Sequence, residues 1–115
     1  EIATPPQFPK GMEGVWSPEQ LFTAAVSSCL MTTFLAIAEN SKLEFTNFQC
    51  GSKGKLEQIE GKFQMTEVIL EPTVVIINEE DREKAERVLQ KSEANCLISN
   101  SVHSKITMIP NIVVG

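Results

Sequence analysis

The sequence lacks the cysteine and histidine spacing of a metal site or a disulfide framework. Its three cysteines, Cys29, Cys50 and Cys96, lie far apart and form no CxxC pair. An odd, sparse set argues against a secreted disulfide scaffold. The single histidine, His103, adds no compact zinc-binding pattern. We therefore expect no metal and no cofactor.

A basic surface is also missing. The 10 lysine and arginine residues are outnumbered by 15 acidic ones, which gives a net charge of −5. The basic residues are scattered, whereas nucleic acids and anionic membranes require a basic face. No signal peptide is visible at the start of the sequence. We expect a cytoplasmic protein with reduced thiols, with neither nucleic acid nor membrane as a partner.

Length and composition predict one domain. The 115 residues are 42% hydrophobic, which is enough for one core and too little chain for two. No repeat or linker divides the sequence, so we treat 1–115 as a single domain. A domain of this size is only modestly stable alone, and an oligomer would help to bury its apolar surface.

A segment of 18 residues without charge, 21–38, predicts a long first helix. Ser17 is a good N-cap, Pro18 suits the first helical position, and Gln20 completes a capping box. The length also fits a membrane span. Five serines and threonines within the segment, and its acidic flanks, favour a central helix buried on most sides.

Strand-like sequence follows. Residues 45–50 and 56–59 predict two short strands around a Gly-Ser-Lys-Gly turn at 51–54. Residues 62–77 predict a longer strand rich in β-branched side chains. Because proline cannot donate to a strand ladder, Pro72 implies an edge strand, a bulge or two strand segments.

A second helix, amphipathic, is predicted to begin at Asn78. Cys96 follows Ala85 by about three turns and ends the same inward stripe. A final strand is broken by Pro110. This order has too few crossovers for a doubly wound sheet, and it predicts an α+β fold with an antiparallel sheet packed against two main helices.

Two cysteines and one glutamate are the candidate site residues. Cys29 has small, hydroxylated neighbours that permit close approach of another element, and Cys96 ends a helix that must pack on an apolar surface. The two could form a redox pair, although a free cysteine is more often an inert small hydrophobe. Cys50 has no such context and is interpreted as structural. Glu19 either favours the helix dipole or anchors a cationic group beside a thiolate.

Two motifs resemble the OsmC/Ohr family of osmotically induced and organic-hydroperoxide-resistance proteins. The segment SPEQLF at 17–22 and the Ala/Ser-rich run to Cys29 resemble the family helix Asn-Pro-Glu-(Glu/Gln)-Leu…Ala-Ala…Cys. The segment CLISN at 96–100 resembles the family's Cys-Pro-x-Ser motif after its second helix. The ten-residue step from Glu19 to Cys29 also agrees.

The resemblance implies an intertwined homodimer with an OsmC-like fold, and a thiol-dependent peroxidase for organic hydroperoxides. Cys29 would become a sulfenic acid, Cys96 would resolve it as a Cys29–Cys96 disulfide, and a dihydrolipoyl-type dithiol would reduce that bond. In the family an arginine, held by the glutamate that corresponds to Glu19, keeps the first cysteine a thiolate. The N-terminal strands of the family are expected to be absent from this chain.

The sequence departs from the family pattern at two points. The family arginine lies upstream of the first helix, yet residues 1–16 contain only one cation, Lys10, which cannot reproduce a bidentate guanidinium pairing. Both arginines, Arg82 and Arg87, fall in the second helix. Leu97 stands where the family often has proline.

Helix geometry favours a shared site. Glu19 and Cys29 lie ~15 Å apart along one helix, so they could approach each other only across a two-fold dimer with antiparallel helices. Two alternatives without catalysis remain. One is an OsmC-fold protein that binds a small hydrophobic ligand at the dimer interface, which the missing arginine favours. The other is a structural domain with unreactive thiols.

Overall fold

The computed structural model describes residues 17–115, which form two helices and a four-stranded sheet. The elements, in chain order, are α1 Pro18–Asn40, β1 Phe45–Ile59, β2 Lys62–Ile76, α2 Arg82–Ala94, β3 Lys105–Met108 and β4 Asn111–Val114. A 3-10 turn, Glu79–Asp81, precedes α2, and another, Ser99–Ser101, follows it. The second helix therefore begins later than the predicted Asn78.

The capping box predicted for α1 is formed. The Ser17 hydroxyl accepts the Gln20 N–H at 3.2 Å, and the Gln20 side chain accepts the Ser17 N–H at 2.8 Å. Four residues spaced four apart on α1 are fully buried, namely Val26, Leu30, Phe34 and Ala38. The prediction of a helix buried on most sides is wrong for the single chain, because Met31 and Leu35 on another face are 40% and 44% exposed.

The turn predicted at 51–54 is wrong, because β1 runs through that segment as one 15-residue strand paired antiparallel with β2. The chain reverses instead at Glu60 and Gly61, whose φ angles are 51° and 79°. Two consecutive positive φ angles are typical of the mirror-image turns that match the twist of a hairpin.

Gly54 has a packing role rather than a turning role. A Cβ at this position would lie 2.6 Å from Cε of Met65 and would also clash with the hydroxyl of Thr23 on α1. Because glycine has no side chain, the hairpin can cross α1 at close range.

The α+β class is confirmed, but the sheet is mixed rather than antiparallel. β3 and β4 both run parallel to β2, because α2 carries the chain back as the crossover helix of a parallel connection. Pairing with β3 ends at Leu70 and pairing with β4 begins at Thr73, so Pro72 lies opposite the break in the final strand. β2 is thus one continuous central strand, and its proline needs no edge position.

Two apolar clusters hold the helices on the sheet. One joins the C-terminal half of α1 to α2 and the sheet, around the fully buried Phe34. The other joins the middle of α1 to β2, through Val26 and Leu30. The inward stripe of α2 is buried as its spacing predicts, at Ala85, Val88, Leu89 and Ser92. The chain leaves α2 against α1, which brings Cys96 next to that helix.

Candidate two-cysteine site

The fold brings Cys29 and Cys96 together, although 67 positions separate them in the sequence. Cys29 lies in the middle of α1 and is half-buried, whereas Cys96 lies just after α2 and is fully buried. The two thiols are neighbours, since each of them changes the pKa of the other. The two thiols are free, and one is accessible while the other is shielded.

The surroundings of Cys29 favour its thiolate. Burial raises the pKa of this thiol, but hydrogen bonds to the sulfur outweigh burial and hold the pKa below its usual value. The donors are the Cys96 thiol, the backbone N–H groups of Ile98 and Leu97, and the Thr33 hydroxyl one helical turn away. The Thr33 oxygen lies 4.0 Å from the Cys29 sulfur.

The surroundings of Cys96 favour its neutral thiol. Burial raises the pKa of Cys96, and the hydrogen bond to Cys29 raises it further. The Ser99 hydroxyl and backbone N–H oppose this change only in part. The Ser99 hydroxyl forms no hydrogen bond of normal geometry within residues 17–115, so we regard its contact with Cys96 as weak. Cys29 therefore loses its proton at a lower pH than Cys96 does.

A short turn after α2 positions these donors. The Asn100 N–H donates to the Cys96 carbonyl at 3.0 Å, and the Asn100 side chain donates to the Ala94 carbonyl at 3.1 Å. The Ser101 N–H and hydroxyl donate to the carbonyls of Ile98 and Leu97, respectively. These bonds fix the turn against the end of α2, next to Cys96.

Glu19 lies in the first turn of α1, apart from the two cysteines. One of its carboxylate oxygens, Oε2, is buried and has no hydrogen-bond partner within the described part of the chain. Burial of a carboxylate oxygen without a hydrogen-bond donor costs free energy, so we expect a donor to this oxygen. Residues 1–16, which precede the helix and contain Lys10 but no arginine, lie outside the described residues.

The other candidate side chains lie elsewhere. Cys50 is half-buried in β1, where burial raises its pKa; the Ser27 hydroxyl and the Glu71 N–H lower it only in part. Arg82 is bonded to Glu79 and to the Ile112 carbonyl at the start of α2, so it does not take the role of the family arginine.

Neither a metal nor a membrane is indicated for the described residues. Within 17–115, no group of three or more His, Cys, Asp or Glu side chains converges. α1 is long and apolar enough to cross a membrane, by length and composition alone. That is weak support for a span, because core helices pass the same test, and α1 packs through its buried stripe on the sheet and α2.

Sequence reasoning found both thiols but missed most of what surrounds them. The backbone N–H groups of Leu97 and Ile98 lower the pKa of Cys29, an effect that no side chain in the sequence indicates. Thr33 is one of the small, hydroxylated neighbours of Cys29, and its spacing of one helical turn is the signal that could identify it as a contact.

The fold and the paired thiols define a two-cysteine α+β protein, and comparison with known proteins supplies the family. A model of the OsmC-like protein family matches residues 11–110. The chain therefore belongs to the OsmC-like family.

Individual relatives agree with this assignment. An OsmC-like protein of unknown function from Vibrio cholerae is 30% identical, with a TM-score of 0.82 over 94% of this chain and 73% of that one. The uncharacterized protein YmaD of Bacillus subtilis is 26% identical over 113 residues, 93% of this chain and 75% of its own. A Legionella pneumophila structure named as an organic hydroperoxide resistance protein OsmC is 23% identical, with a TM-score of 0.72 over 90% and 73% of the chains, and this shows a shared fold.

Proposed function

We propose that this protein is a cytoplasmic, thiol-dependent peroxidase that reduces organic hydroperoxides in stress defence. The observation that carries the proposal is the contact between an accessible thiol of lowered pKa, Cys29, and a buried thiol of raised pKa, Cys96. Titratable groups that change one another's pKa are more frequent at functional sites than elsewhere. Structural relatives named as hydroperoxide resistance proteins add support at the level of the family.

In the first step, the Cys29 thiolate attacks the distal oxygen of ROOH. The O–O bond breaks, an S–O bond forms, and the alkoxide leaves and is protonated to the alcohol ROH. Cys29 becomes a sulfenic acid, and the hydroperoxide is reduced by two electrons. Only the thiolate is a competent nucleophile, so the hydrogen bonds that stabilise it increase the reactive fraction near neutral pH.

In the second step, the Cys96 sulfur attacks the Cys29 sulfenic acid. The S–S bond forms as the hydroxyl of the sulfenic acid leaves, and with the Cys96 proton it becomes water. A dithiol of the dihydrolipoyl type then reduces the disulfide by thiol exchange and is itself oxidised to a cyclic disulfide. Because the pKa of Cys96 is raised, its thiolate is disfavoured, and Cys29 is the thiol that attacks the peroxide.

A homodimer would complete the site. The single chain leaves an uncharged, partly apolar face of α1 exposed, including Leu21, Met31 and Leu35. Contact of this face with a second α1 would bury that surface, and an antiparallel crossing would bring Glu19 of one subunit towards Cys29 of the other. The Glu19 oxygen, which has no donor within residues 17–115, is compatible with a site completed by a second subunit.

Steady-state kinetics test the proposal. With cumene hydroperoxide and dihydrolipoamide, we expect turnover by the unchanged protein and a loss of at least roughly a thousandfold in Cys29→Ser, because the nucleophile is removed. Cys50→Ser is the matched control and should stay within about twofold, since Cys50 lies outside the site. Absent turnover in the folded, reduced protein, or equal losses in both variants, would contradict the proposal.

The second candidate function, binding of a small hydrophobic molecule at a dimer interface, is favoured by the exposed apolar face of α1. It predicts thermal stabilisation by an apolar ligand in both the unchanged protein and Cys29→Ser. Thermal stabilisation by an apolar ligand, together with no peroxide turnover, would support this alternative over the peroxidase.

A further inference from the structure

Two threonine hydroxyls of α1 lie close to Cys29, and they contact different atoms of that residue. The Thr32 hydroxyl donates to the Cys29 carbonyl at 3.1 Å, which is a common local bond of threonine in a helix. The Thr33 oxygen instead lies 4.0 Å from the Cys29 sulfur, at hydrogen-bonding distance for a sulfur atom. The residues three and four positions before Cys29 are Val26 and Ala25, which have no hydroxyl. Thr33 is thus the hydroxylated neighbour on α1 that contacts the sulfur.

Helix geometry accounts for the contact between Thr33 and Cys29. Side chains in an α-helix point back towards its N-terminus, so a residue covers the turn that precedes it. Thr33 follows Cys29 by four positions, and both residues are half-buried on the same face of α1. Because threonine is branched at Cβ, few χ1 rotamers are open to it in a helix. The Thr33 hydroxyl is therefore held near the sulfur at a small cost in side-chain freedom.

Ionisation of Cys29 determines the direction of this hydrogen bond. In the neutral pair, either the thiol or the Thr33 hydroxyl can be the donor. A thiolate has no hydrogen, so the hydroxyl must then donate to the sulfur. A hydrogen bond to a charged acceptor is stronger than one between neutral groups. The contact therefore stabilises the charged form of Cys29 more than the neutral form.

One other titratable group within residues 17–115 acts on Cys29. It is Cys96, which follows α2; no charged side chain of α1, α2 or the sheet is among the groups that change the pKa of Cys29 in this part of the chain. Burial raises this pKa, and hydrogen bonds, one of them from Thr33, outweigh burial and lower it. Because no nearby charge dominates the balance, we expect the loss of one donor to change the pH profile of Cys29 measurably.

We propose that Thr33 is a catalytic residue of the two-cysteine site, and that its hydroxyl donates a hydrogen bond to the Cys29 thiolate and so keeps this sulfur ready to react. The inference rests on the proposed peroxidase function for its relevance, but the reactivity of the thiol is measured without peroxide. A protein that alkylates as expected below but does not turn over hydroperoxide would contradict the proposed function alone. A protein that turns over hydroperoxide without the expected profiles would contradict the role of Thr33 alone.

Three variants separate the hydroxyl from the rest of the side chain. Thr33→Val removes the hydroxyl and keeps the branched shape, whereas Thr33→Ser keeps a hydroxyl. Thr32→Val is the matched control, because it removes the adjacent hydroxyl, which donates to the Cys29 carbonyl. The measurement is the pH dependence of iodoacetamide alkylation at Cys29 in the reduced protein, followed by peptide mass spectrometry, with folding checked by circular dichroism. A charge brought by a second subunit would act equally in all the variants.

At about pH 6, we expect Thr33→Val to alkylate about three- to tenfold more slowly than the unchanged protein, because a donor to the charged sulfur is lost. Thr33→Ser and Thr32→Val should both stay within about twofold, since each keeps a hydroxyl at position 33. At about pH 10, where the thiolate is fully formed, all four rates should agree.

Three outcomes would overturn the role of Thr33. The first is a Thr33→Val profile that superimposes on that of the unchanged protein. The second is an equal shift in Thr32→Val, which would assign the effect to the helix and not to the contact with sulfur. The third is an equal loss at both pH values, which would mean changed access to the sulfur. If Thr33→Val does not fold, Thr33→Ala also lacks the hydroxyl and must show the same shift.

Discussion

Cys29 and Cys50 are both half-buried thiols near α1, yet their surroundings change their pKa values in opposite directions. Around Cys29, donors from Cys96, from Thr33 and from the turn after α2 outweigh burial. At Cys50, burial dominates, the Ser27 hydroxyl opposes it weakly, and the nearby Glu71 carboxylate adds repulsion. Exposure alone therefore does not distinguish the two thiols; the balance between burial and hydrogen bonding in their pKa values does.

The largest expected difference concerns disulfide formation, because only Cys29 has a second thiol in contact. In Cys96→Ser, hydroperoxide should convert Cys29 to a sulfenic acid that persists and is trapped by dimedone. Turnover with dihydrolipoamide should fall by roughly tenfold or more, since the dithiol must then attack the sulfenic acid directly. If Cys96→Ser turns over as fast as the unchanged protein, Cys96 has no part in the mechanism.

A smaller difference is expected in alkylation at neutral pH. The thiolate fraction falls about tenfold for each pH unit below the pKa, so a lowered pKa keeps Cys29 reactive at a lower pH than an ordinary thiol. The raised pKa of Cys50 confines its reactivity to higher pH. Near pH 7, iodoacetamide should label Cys29 at least about tenfold faster than Cys50. Equal labelling rates for the Cys29 and Cys50 peptides would contradict the difference in pKa between the two thiols.

The smallest effect is expected from Glu71→Gln, which removes the carboxylate beside Cys50. The pKa of Cys50 should fall slightly, and its alkylation near pH 8 should rise by about twofold, because an exposed charge is largely screened. Cys29 serves as the internal control and should not change. A larger effect at Cys29 than at Cys50 would mean that the two environments are not independent.

The sequence predicted the elements that depend on local chemistry. The capping box at Ser17, the inward stripe of α2 and the break at Pro110 are all found where the spacing placed them. Each depends on residues within a few positions of one another. The proximity of Cys96 to Cys29 was predicted from the family resemblance together with one helical-phase argument, namely that the end of a buried stripe must face another element.

Some features of the fold depend on tertiary packing, and local sequence patterns did not predict them. Gly51 and Gly54 have the composition of a turn, yet Gly54 lies in a continuous strand where a side chain would contact Thr23 of α1 and Met65. The parallel pairing of β3 and β4 depends on the crossover through α2, which no short motif records. Backbone N–H groups are present at almost every position, so sequence alone cannot indicate which of them will affect the pKa of a thiol.

Peptide mapping after oxidation tests the central claim most directly. The reduced protein is treated with about one equivalent of cumene hydroperoxide and mapped by mass spectrometry, with Cys29→Ser and Cys50→Ser alongside. We predict a rapid loss of two hydrogens, assigned to a Cys29–Cys96 disulfide that also forms in Cys50→Ser and is absent in Cys29→Ser. Thiols that remain unmodified after prolonged exposure, or a disulfide that includes Cys50, would contradict the account.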